Sequence, residues 1–297
     1  YTSSSTDTWD VLRISDLVDV DSNNVLLIYG YDDNDESTKN DRTRNIYSNQ
    51  SGSCIGYWNR EHVFAKSLAN PSLVTNQPGP GTDIHNLRSA DCQMNSTRNN
   101  RLFVSGSGNS GTSGSYFYPG DEFKGDVARI IMYMYLRYPS QCEPLNIGVG
   151  SSSYSQNGDI PDLFLDWNDQ DPVSEFELNR NDVIYSYQGN RNPFIDNPYL
   201  ATLIWNGPIT TDSWGVLSNT EITTKNLTVF PTITSDYLYI SGIINEQYSV
   251  QIFNQLGQAL EVEISNNRID VSDFSSGVYI LKFEQANQVQ QTKFFIR

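Results

Sequence analysis

Apolar residues recur at helical spacing through the middle of the chain. The clearest pattern covers residues 121–138, and Pro139 ends it. Its apolar face consists of Phe123, Val127, Ile130, Ile131, Met134 and Tyr138. Further helices are predicted over 163–167, 172–187 and 198–205, so this region is expected to be mainly helical.

Beyond Trp214 the pattern changes to alternation between apolar and polar residues, which is typical of strands. Turn residues separate the strand-like runs, the clearest of which are 237–240, 248–253 and 278–283. About seven short strands at this spacing predict a small all-β sandwich without catalytic residues. The predicted fold class is therefore α+β, and the predicted domains are a mainly helical domain over 1–215, a linker over 216–224 and the β-sandwich over 225–297.

A polar stretch of different character precedes the long helix. A strand predicted over 56–64 contains Asn59-Arg60-Glu61-His62. Prolines and glycines exclude regular structure over residues 70–81, and a second short strand is predicted over 82–87. The predicted order is therefore a strand, an irregular loop and a second strand.

A helix is predicted next, with Ser89 as its N-cap and its end near Phe103. Asn95, Arg98 and Asn99 fall on one face of this helix because they are spaced by three and four residues. A polar face of this kind is unusual for core packing and favours a functional site.

Charge limits the functions that the chain can have. The formal net charge is −16, and 14 of those negative charges lie before Lys225. Such a charge argues against broad electrostatic attraction to nucleic acid, so a polyanionic partner would require divalent cations or a local basic patch. The acidic run over 32–36 lacks the glycine and the final glutamate of an EF-hand, and we interpret it as a solvated loop.

Length and composition limit the class of protein further. A length of 297 residues suits two domains, and no run of 18 apolar residues predicts a membrane-spanning helix. The chain begins at Tyr1 without a basic-then-apolar leader, so we expect a mature product from which any export signal has been removed. We also expect a monomer. Cys54, Cys92 and Cys142 are compatible with one disulfide and one free thiol, and all three pairings stay open.

The chain has only two histidines, His62 and His85, and both lie in the polar stretch. An imidazole at His62 can accept a proton from an attacking water. Glu61 and Asn95 offer the hard oxygen ligands that Mg²⁺ prefers. These groups suit metal-assisted hydrolysis of a phosphodiester, provided that the strand ends or bends so that Glu61 and His62 reach one site.

Two other interpretations compete at this point. The histidines can be ordinary hydrogen-bonded residues near a loop, which is the default expectation for any two histidines. A Ser-His-Asp hydrolase is the second, although the chain contains no Gly-x-Ser-x-Gly motif. Periodicity and spacing alone leave the choice open.

Five segments in the same order resemble the bacterial endonuclease I family of secreted nucleases. They fall within about residues 10 to 207 and comprise Asn59-Arg60-Glu61-His62, residues 79–88, residues 95–100, residues 124–129 and residues 188–194. The resemblance implies a ββα-metal (His-Me finger) core, with strand, loop, strand and helix around one divalent cation. It also implies non-specific cleavage of DNA, and often of RNA, outside the cell.

The same resemblance implies roles for named residues. His62 would be the general base, and Glu61 and Asn95 would hold Mg²⁺, with Ca²⁺ or Mn²⁺ as alternatives. Some members place an arginine on the scissile phosphate between the base and the second strand, but that interval contains only Lys66 here. The remaining candidates are therefore Arg98 and Arg191 as catalytic residues, Arg88, Lys66 and Asn99 as substrate-binding residues, and His85 and Asp83 as supporting residues. Several members also contain multiple disulfides, which three cysteines cannot supply.

The C-terminal segment is similar to the sorting domain of the type IX secretion system. The matching features are Val229-Phe230-Pro231, Leu256-Gly257, residues 269–272, residues 276–280 and residues 293–297. The similarity implies the secretion machinery as a partner and an extracellular or cell-surface location. A generic β adhesion or carbohydrate-binding module is the competing interpretation of this segment. For the whole chain, the alternative to a nuclease is a catalytically decayed protein that binds nucleic acid or glycan.

Overall fold

The computed structural model describes residues 6–19, 22–49, 52–215, 228–241, 248–285 and 288–297. The chain forms two compact units, Tyr1–Leu217 and Ser218–Arg297, which we call the N-terminal unit and the C-terminal unit. Helices and strands both occur, which confirms the α+β class. The predicted linker over 216–224 lies outside the described residues.

The N-terminal unit contains helices, short strands and single 3₁₀ turns. The helices are α1 (Thr8–Ser15), α2 (Cys92–Arg98), α3 (Lys124–Arg137), α4 (Asp162–Gln170), α5 (Glu175–Gln188), α6 (Pro193–Asp196) and α7 (Tyr199–Trp205). The strands are β1 (Asn24–Leu26), β2 (Thr43–Asn45), β3 (Trp58–His62), β4 (Leu87–Asp91), β5 (Gly111–Ser113) and β6 (Tyr116–Tyr118). The 3₁₀ turns cover Thr38–Asn40, Lys66–Leu68, Ile84–Asn86 and Pro144–Asn146. Among the residues that the structure describes, none of the helices has both the length and the apolarity to cross a membrane.

The helices predicted from periodicity are present with shifted ends. α3 lies within the predicted range 121–138, and α4 extends the predicted range 163–167 at both ends. α5 begins three residues after the predicted start, because Ser174 and Glu177 cap it reciprocally. The Ser174 hydroxyl accepts from the Glu177 N–H at 3.2 Å, and the Glu177 carboxylate accepts from the Ser174 N–H at 3.0 Å. Gly189, with a φ of 78°, follows the end of this helix in a left-handed conformation.

The two strands predicted in the polar stretch pair with each other and lead directly into a helix. β3 and β4 are antiparallel, with His62 opposite Leu87. β4 begins at Leu87, where the predicted second strand ends. The residues before it form a 3₁₀ turn instead, because the Asp83 side chain accepts a hydrogen bond from the His85 N–H at 3.0 Å.

Helix α2 is shorter than predicted at both ends. Ser89 lies within β4, and the N-cap is Asp91, whose carboxylate accepts from two backbone N–H groups of the first turn. The helix ends at Arg98, and Asn99 follows it with a φ of 51°. Of the predicted polar face, only Asn95 and Arg98 are therefore helical.

A disulfide joins Cys54, which precedes β3, to Cys92, the first residue of α2. Cys142 is a buried free thiol. The structure thus contains one bridge and one free thiol, with one of the three pairings that the sequence leaves open. The bridge connects the segment before the strand to the start of the helix, so these two elements are held together covalently.

The interior of the N-terminal unit combines an apolar core with buried ion pairs. α3 and α4 supply much of this core, including Val127, Ile131, Met134, Leu163, Phe164 and Trp167. Buried ion pairs of this interior include Arg88–Asp126 at 2.5 Å, Arg129–Glu177 at 2.6 Å and Arg180–Asp16 at 2.8 Å. Removing one partner of such a pair typically destabilises a protein by about 3–5 kcal/mol, because the other charge stays buried.

The C-terminal unit consists of strands of two to nine residues in its described part. They are β7 (Thr228–Phe230), β8 (Ile233–Thr234), β9 (Tyr237–Ser241), β10 (Tyr248–Phe253), β11 (Ala259–Leu260), β12 (Ile264–Ser265), β13 (Arg268–Asp270), β14 (Gly277–Gln285) and β15 (Gln288–Ile296). One sheet has the order β11-β10-β14-β15-β8 and another the order β12-β13-β9-β7. A single buried cluster draws on both sheets and includes Leu238, Ile252, Ile269, Leu281 and Phe294. The sandwich architecture of this unit stays a prediction.

A buried polar network holds the loop before β4 against the helices. The Asp83 carboxylate accepts hydrogen bonds at 2.8 Å from Tyr133, Tyr138 and Gln188. The His85 ring packs on Tyr133 with the ring centroids 4.5 Å apart, and its Nε2 lies 3.1 Å from a backbone carbonyl oxygen. Burial lowers the pKa of His85 to about 4, so the imidazole is neutral in the folded protein at neutral pH.

We expect His85 to contribute to loss of stability as the pH falls. Its folded pKa of about 4 lies below the unfolded value of 6.5, so between these values the unfolded chain binds a proton that the folded chain does not. The resulting loss in the free energy of unfolding is at most about 3 kcal/mol. His85→Gln should show a shallower decrease than the wild type between about pH 7 and pH 4 in denaturant titrations. Equal slopes for the two proteins would contradict a buried neutral His85.

Candidate active site

An open cleft of about 420 Å³ lies where β3 ends and α2 approaches it. β3 ends at His62, and this explains how the consecutive residues Glu61 and His62 reach the same cleft. Residues of α1, of α2 and of the loops after β3 and α2 complete its walls. The side chains that concern the chemistry are Trp9, Arg60, Glu61, His62, Lys66, Asn95, Arg98 and Asn99.

Glu61 is the carboxylate of this cleft. Glu61 is only 2% exposed, and its carboxylate faces a hydroxyl group and a guanidinium group. Tyr29 Oη donates to Glu61 Oε1 at 3.1 Å, and Arg98 NH1 lies 3.3 Å from the same oxygen. Burial raises the pKa of Glu61 to about 7, although the Arg98 charge and the Tyr29 hydrogen bond act in the opposite direction. These contacts therefore hold the carboxylate in place, but they do not fully offset the effect of burial on its pKa.

Asn95 supplies an amide oxygen to the same cleft. Its Nδ2 donates to Asn59 Oδ1 at 2.7 Å, which leaves Asn95 Oδ1 as an acceptor. Within the described residues, no three His, Cys, Asp or Glu side chains are close enough to form a metal site by themselves. A carboxylate and an amide oxygen in an open cleft nevertheless fit Mg²⁺, which keeps several water ligands. A cation beside Glu61 would also favour its ionised form.

His62 is oriented by the loop that precedes β4. Its Nε2 lies 2.9 Å from the Gly81 carbonyl oxygen, and because a carbonyl can only accept, Nε2 carries the proton and Nδ1 is the acceptor. Burial lowers the pKa of His62 to about 4, so the ring is neutral at neutral pH. A Cβ at Gly81 would lie 2.1 Å from the Val74 oxygen, so only glycine allows this approach of the loop.

Two residues of the site have left-handed backbone conformations although neither is glycine. Tyr29, which donates to Glu61, has a φ of 74°, and Asn99, which borders the cleft, has a φ of 51°. Such conformations cost on the order of 1–3 kcal/mol each and persist where surrounding contacts hold them. Both outliers place a polar side chain next to the cleft.

The structure assigns Arg98 a different position from the predicted contact with the scissile phosphate. It is fully buried, and its guanidinium donates to the backbone carbonyl oxygens of Val63 at 2.8 Å, His62 at 3.2 Å and Asn99 at 3.1 Å. It also pairs with Glu61. Arg98 therefore positions the end of β3 and has little surface left for a phosphate.

Arg88 and Arg191 are not brought to the cleft. Arg88 is buried and paired with Asp126, so it cannot reach a substrate without breaking a buried ion pair. Arg191 pairs with Asp196 at 2.7 Å and with Asp182 at 2.5 Å, away from the residues that line the cleft. Arg191 was predicted as a catalytic residue and Arg88 as a substrate-binding residue, and the carboxylates that pair with them cannot be identified from the sequence.

The remaining predicted residues fall into two groups. Lys66 and Asn99 are exposed and line the cleft. Asp83 and His85 are buried outside the cleft, in the network that follows Gly81 along the chain. Their position suits indirect support of His62, which stays a prediction.

Sequence reasoning missed Trp9, Arg60, Tyr29 and the Gly81 carbonyl group. Arg60 was within reach, because it lies in the same short polar strand, two residues before His62. Trp9 and Tyr29 come from sequence-distant elements, and neither carries a local pattern that points to the cleft.

Comparison with known proteins identifies two segments of the chain. Residues 1–199 match the family described as Endonuclease I, and residues 228–297 match the secretion system C-terminal sorting domain. An extracellular ribonuclease of Bacillus subtilis (strain 168) is 39% identical over 213 residues, which cover 68% of this chain and 68% of that protein. An extracellular ribonuclease of Bacillus amyloliquefaciens is 40% identical over 208 residues, which cover 66% of each.

The chain thus spans about two thirds of the length of these two relatives. The match to the endonuclease family covers more than half of the chain and includes every residue that lines the cleft. Nucleases of this family generally depend on a divalent metal, and the matched sorting domain identifies the chain as secreted. The chain therefore belongs to the Endonuclease I family of nucleases.

Proposed function

We propose that the chain is an extracellular, Mg²⁺-dependent endonuclease that hydrolyses phosphodiester bonds in DNA and RNA with little sequence preference. The observation that carries the proposal is the convergence of Glu61, His62 and Asn95 on one open cleft. The names of the two Bacillus relatives favour RNA as one of the substrates. We further propose that β3, β4 and α2 form a ββα-metal finger, since they follow one another in the required order.

In this proposal His62 is the general base. The hydrogen bond from Nε2 to Gly81 leaves Nδ1 unprotonated, and the lowered pKa keeps it so at neutral pH. Nδ1 takes a proton from water, the water oxygen attacks phosphorus, and the bond to the 3′-oxygen breaks. Arg98 does not contact the substrate in this proposal. It holds the backbone carbonyl group of His62 and so positions that residue.

Glu61 and Asn95 would hold the divalent cation through their side-chain oxygens. When bound, the cation supplies positive charge beside the phosphoryl group and the leaving oxygen. Lys66 and Asn99 border the same cleft and would contact the substrate. We assign this activity to residues 1–215 and assign recognition by the secretion machinery to residues 225–297.

His62→Ala should reduce kcat by about a hundredfold or more, because a general base contributes on the order of 10²–10⁴ in rate. Oligonucleotide binding should survive, since the base acts in the transition state and not in the ground-state complex. The measurement is cleavage of plasmid DNA and of RNA by the wild type and the variant, with Mg²⁺ and then with EDTA. Wild-type protein that leaves both substrates intact with Mg²⁺, Ca²⁺ and Mn²⁺ would favour the catalytically decayed binding protein.

Glu61→Gln and Asn95→Ala should raise the Mg²⁺ concentration for half-maximal activity by at least about tenfold, because each removes an oxygen ligand or its charge. Asn95→Asp is the matched control. It keeps an oxygen at the same position, so its Mg²⁺ requirement should not increase. An unchanged requirement in both Glu61→Gln and Asn95→Ala would remove these residues from the metal site.

Cleavage should depend only weakly on monovalent salt. Most arginines of the described N-terminal unit are ion-paired, so few phosphate contacts remain and few counterions are released. With about two contacts, the affinity falls by about tenfold between roughly 50 and 200 mM salt, compared with about 10³–10⁵ for a protein that makes six to ten contacts. The measurement is the rate at subsaturating substrate against NaCl concentration at fixed Mg²⁺. A loss of about a thousandfold would show a larger basic surface than the structure contains.

A further inference from the structure

The basic residues of the N-terminal unit differ in whether they form ion pairs. Most of its arginines pair with carboxylates, as Arg88, Arg98 and Arg191 do. Four basic residues have no ion-pair partner among the described residues, namely Lys39, Arg60, Lys66 and Arg101, and of these Arg60 and Lys66 line the cleft. In a chain with a net charge of −16, two cations left unpaired at the candidate active site point to an anionic ligand there.

Arg60 is also held in a defined orientation. Its guanidinium carbon lies 4.5 Å from the centroid of the Trp9 ring, and its NH1 donates to Thr8 Oγ1 at 2.5 Å. Trp9 in turn packs against Trp58, with the ring centroids 5.3 Å apart. A guanidinium has five N–H donors, and Thr8 accepts the only hydrogen bond that the Arg60 side chain makes within the described residues. Arg60 therefore has donors available and has already lost much of its rotamer freedom.

The position of Arg60 relative to the proposed base is set by strand geometry. Arg60 lies two residues before His62 on β3, and both residues line the cleft. Two residues of strand span about 7 Å, and each strand of a nucleic-acid helix advances about 3.4 Å per phosphate along its axis. A phosphate near Arg60 is therefore one or two nucleotides from a phosphate near His62.

We propose that Arg60, braced on Trp9 and Thr8, binds the phosphate one or two nucleotides from the scissile phosphodiester. This inference rests on the proposed nuclease function and names the residue that holds the neighbouring part of the strand. Arg60 supplies a phosphate contact of the kind for which Arg88 and Arg191 were the predicted candidates. The competing explanation is that Arg60 only joins α1 to β3 by packing on Trp9.

A binding experiment distinguishes a phosphate contact from a packing role. Each protein carries His62→Ala to prevent cleavage, and its affinity for a fluorescein-labelled single-stranded DNA is measured by anisotropy across a range of NaCl concentrations. Arg60→Gln should weaken binding by about tenfold or more and reduce the salt slope by about 0.7, the value for one phosphate on a single strand. Arg60→Lys should keep the salt slope, because it keeps the charge. The matched control is Arg101→Gln, since Arg101 bonds the Thr97 carbonyl oxygen and lies outside the cleft.

Affinity and salt slope that match Arg101→Gln would overturn the proposal. Weaker binding with an unchanged slope and a lower Tm would do so as well, because it indicates packing alone. If Arg60→Gln does not fold, Arg60→Lys in the active protein carries the test. It should raise KM several-fold at unchanged kcat, because it loses the fork of donors, and an unchanged KM would overturn the proposal.

The proposed nuclease function can fail separately. Wild-type protein that cleaves neither DNA nor RNA with any of the metals tested would refute that function. The salt-slope difference between Arg60→Gln and Arg101→Gln would still decide whether Arg60 binds a phosphate. Conversely, an active wild type together with an Arg60→Gln protein that behaves like the control would retain the nuclease and reject the Arg60 contact.

Discussion

The cleft depends on the hydrogen bonds and the ion pair that the buried Arg98 guanidinium makes. The guanidinium binds the carbonyl oxygens of His62 and Val63 at the end of β3, the carbonyl oxygen of Asn99 after α2, and the carboxylate of Glu61. These contacts end the strand at the residue where two consecutive side chains must share a site. They also keep a carboxylate buried at the edge of open solvent, where desolvation alone would favour its neutral form. Loss of Arg98 would leave Glu61 without its charge partner, so the site and the local fold are coupled.

Other arginines of this acidic chain are buried and paired with carboxylates, as Arg98 is. Several guanidinium groups of the N-terminal unit are placed inside the protein, where they offset buried carboxylates and orient backbone carbonyl groups. Each buried pair is neutral and leaves the net charge of the surface unchanged, but it removes an arginine that could otherwise contact a polyanion. The cleft is lined by Arg60 and Lys66 together with the proposed metal ligands, so it offers a nucleic-acid strand positive charge within an acidic protein. Binding then depends on short-range contacts and on the cation more than on a long-range field.

Periodicity predicted α3 well because a helix of 14 residues with an apolar stripe is stabilised by burial of that stripe. The structure of the polar region that contains β3, β4 and α2 was harder to predict from the sequence. Ser89 is a good N-cap by type, but pairing with β3 continues through β4 to Asp91, and Asp91 then caps the helix. Propensity is local, whereas strand pairing is not, so the helix start moved. Arg88 and Arg191 show the same limit, since sequence reveals a charge and not the carboxylate that neutralises it.

The protonation of His62 illustrates how distant parts of the chain act on one atom. The Gly81 carbonyl oxygen fixes the proton on Nε2, and Gly81 can occupy its place only because it has no Cβ to meet Val74. Two residues later, Asp83 accepts hydrogen bonds from Tyr133 of α3 and from Gln188 at the end of α5. A shift of either helix would therefore be transmitted through a short loop to the hydrogen bond that selects the tautomer. The basic nitrogen of the proposed catalyst is thus maintained by the packing of the helical core, although none of those helices contributes a residue to the cleft.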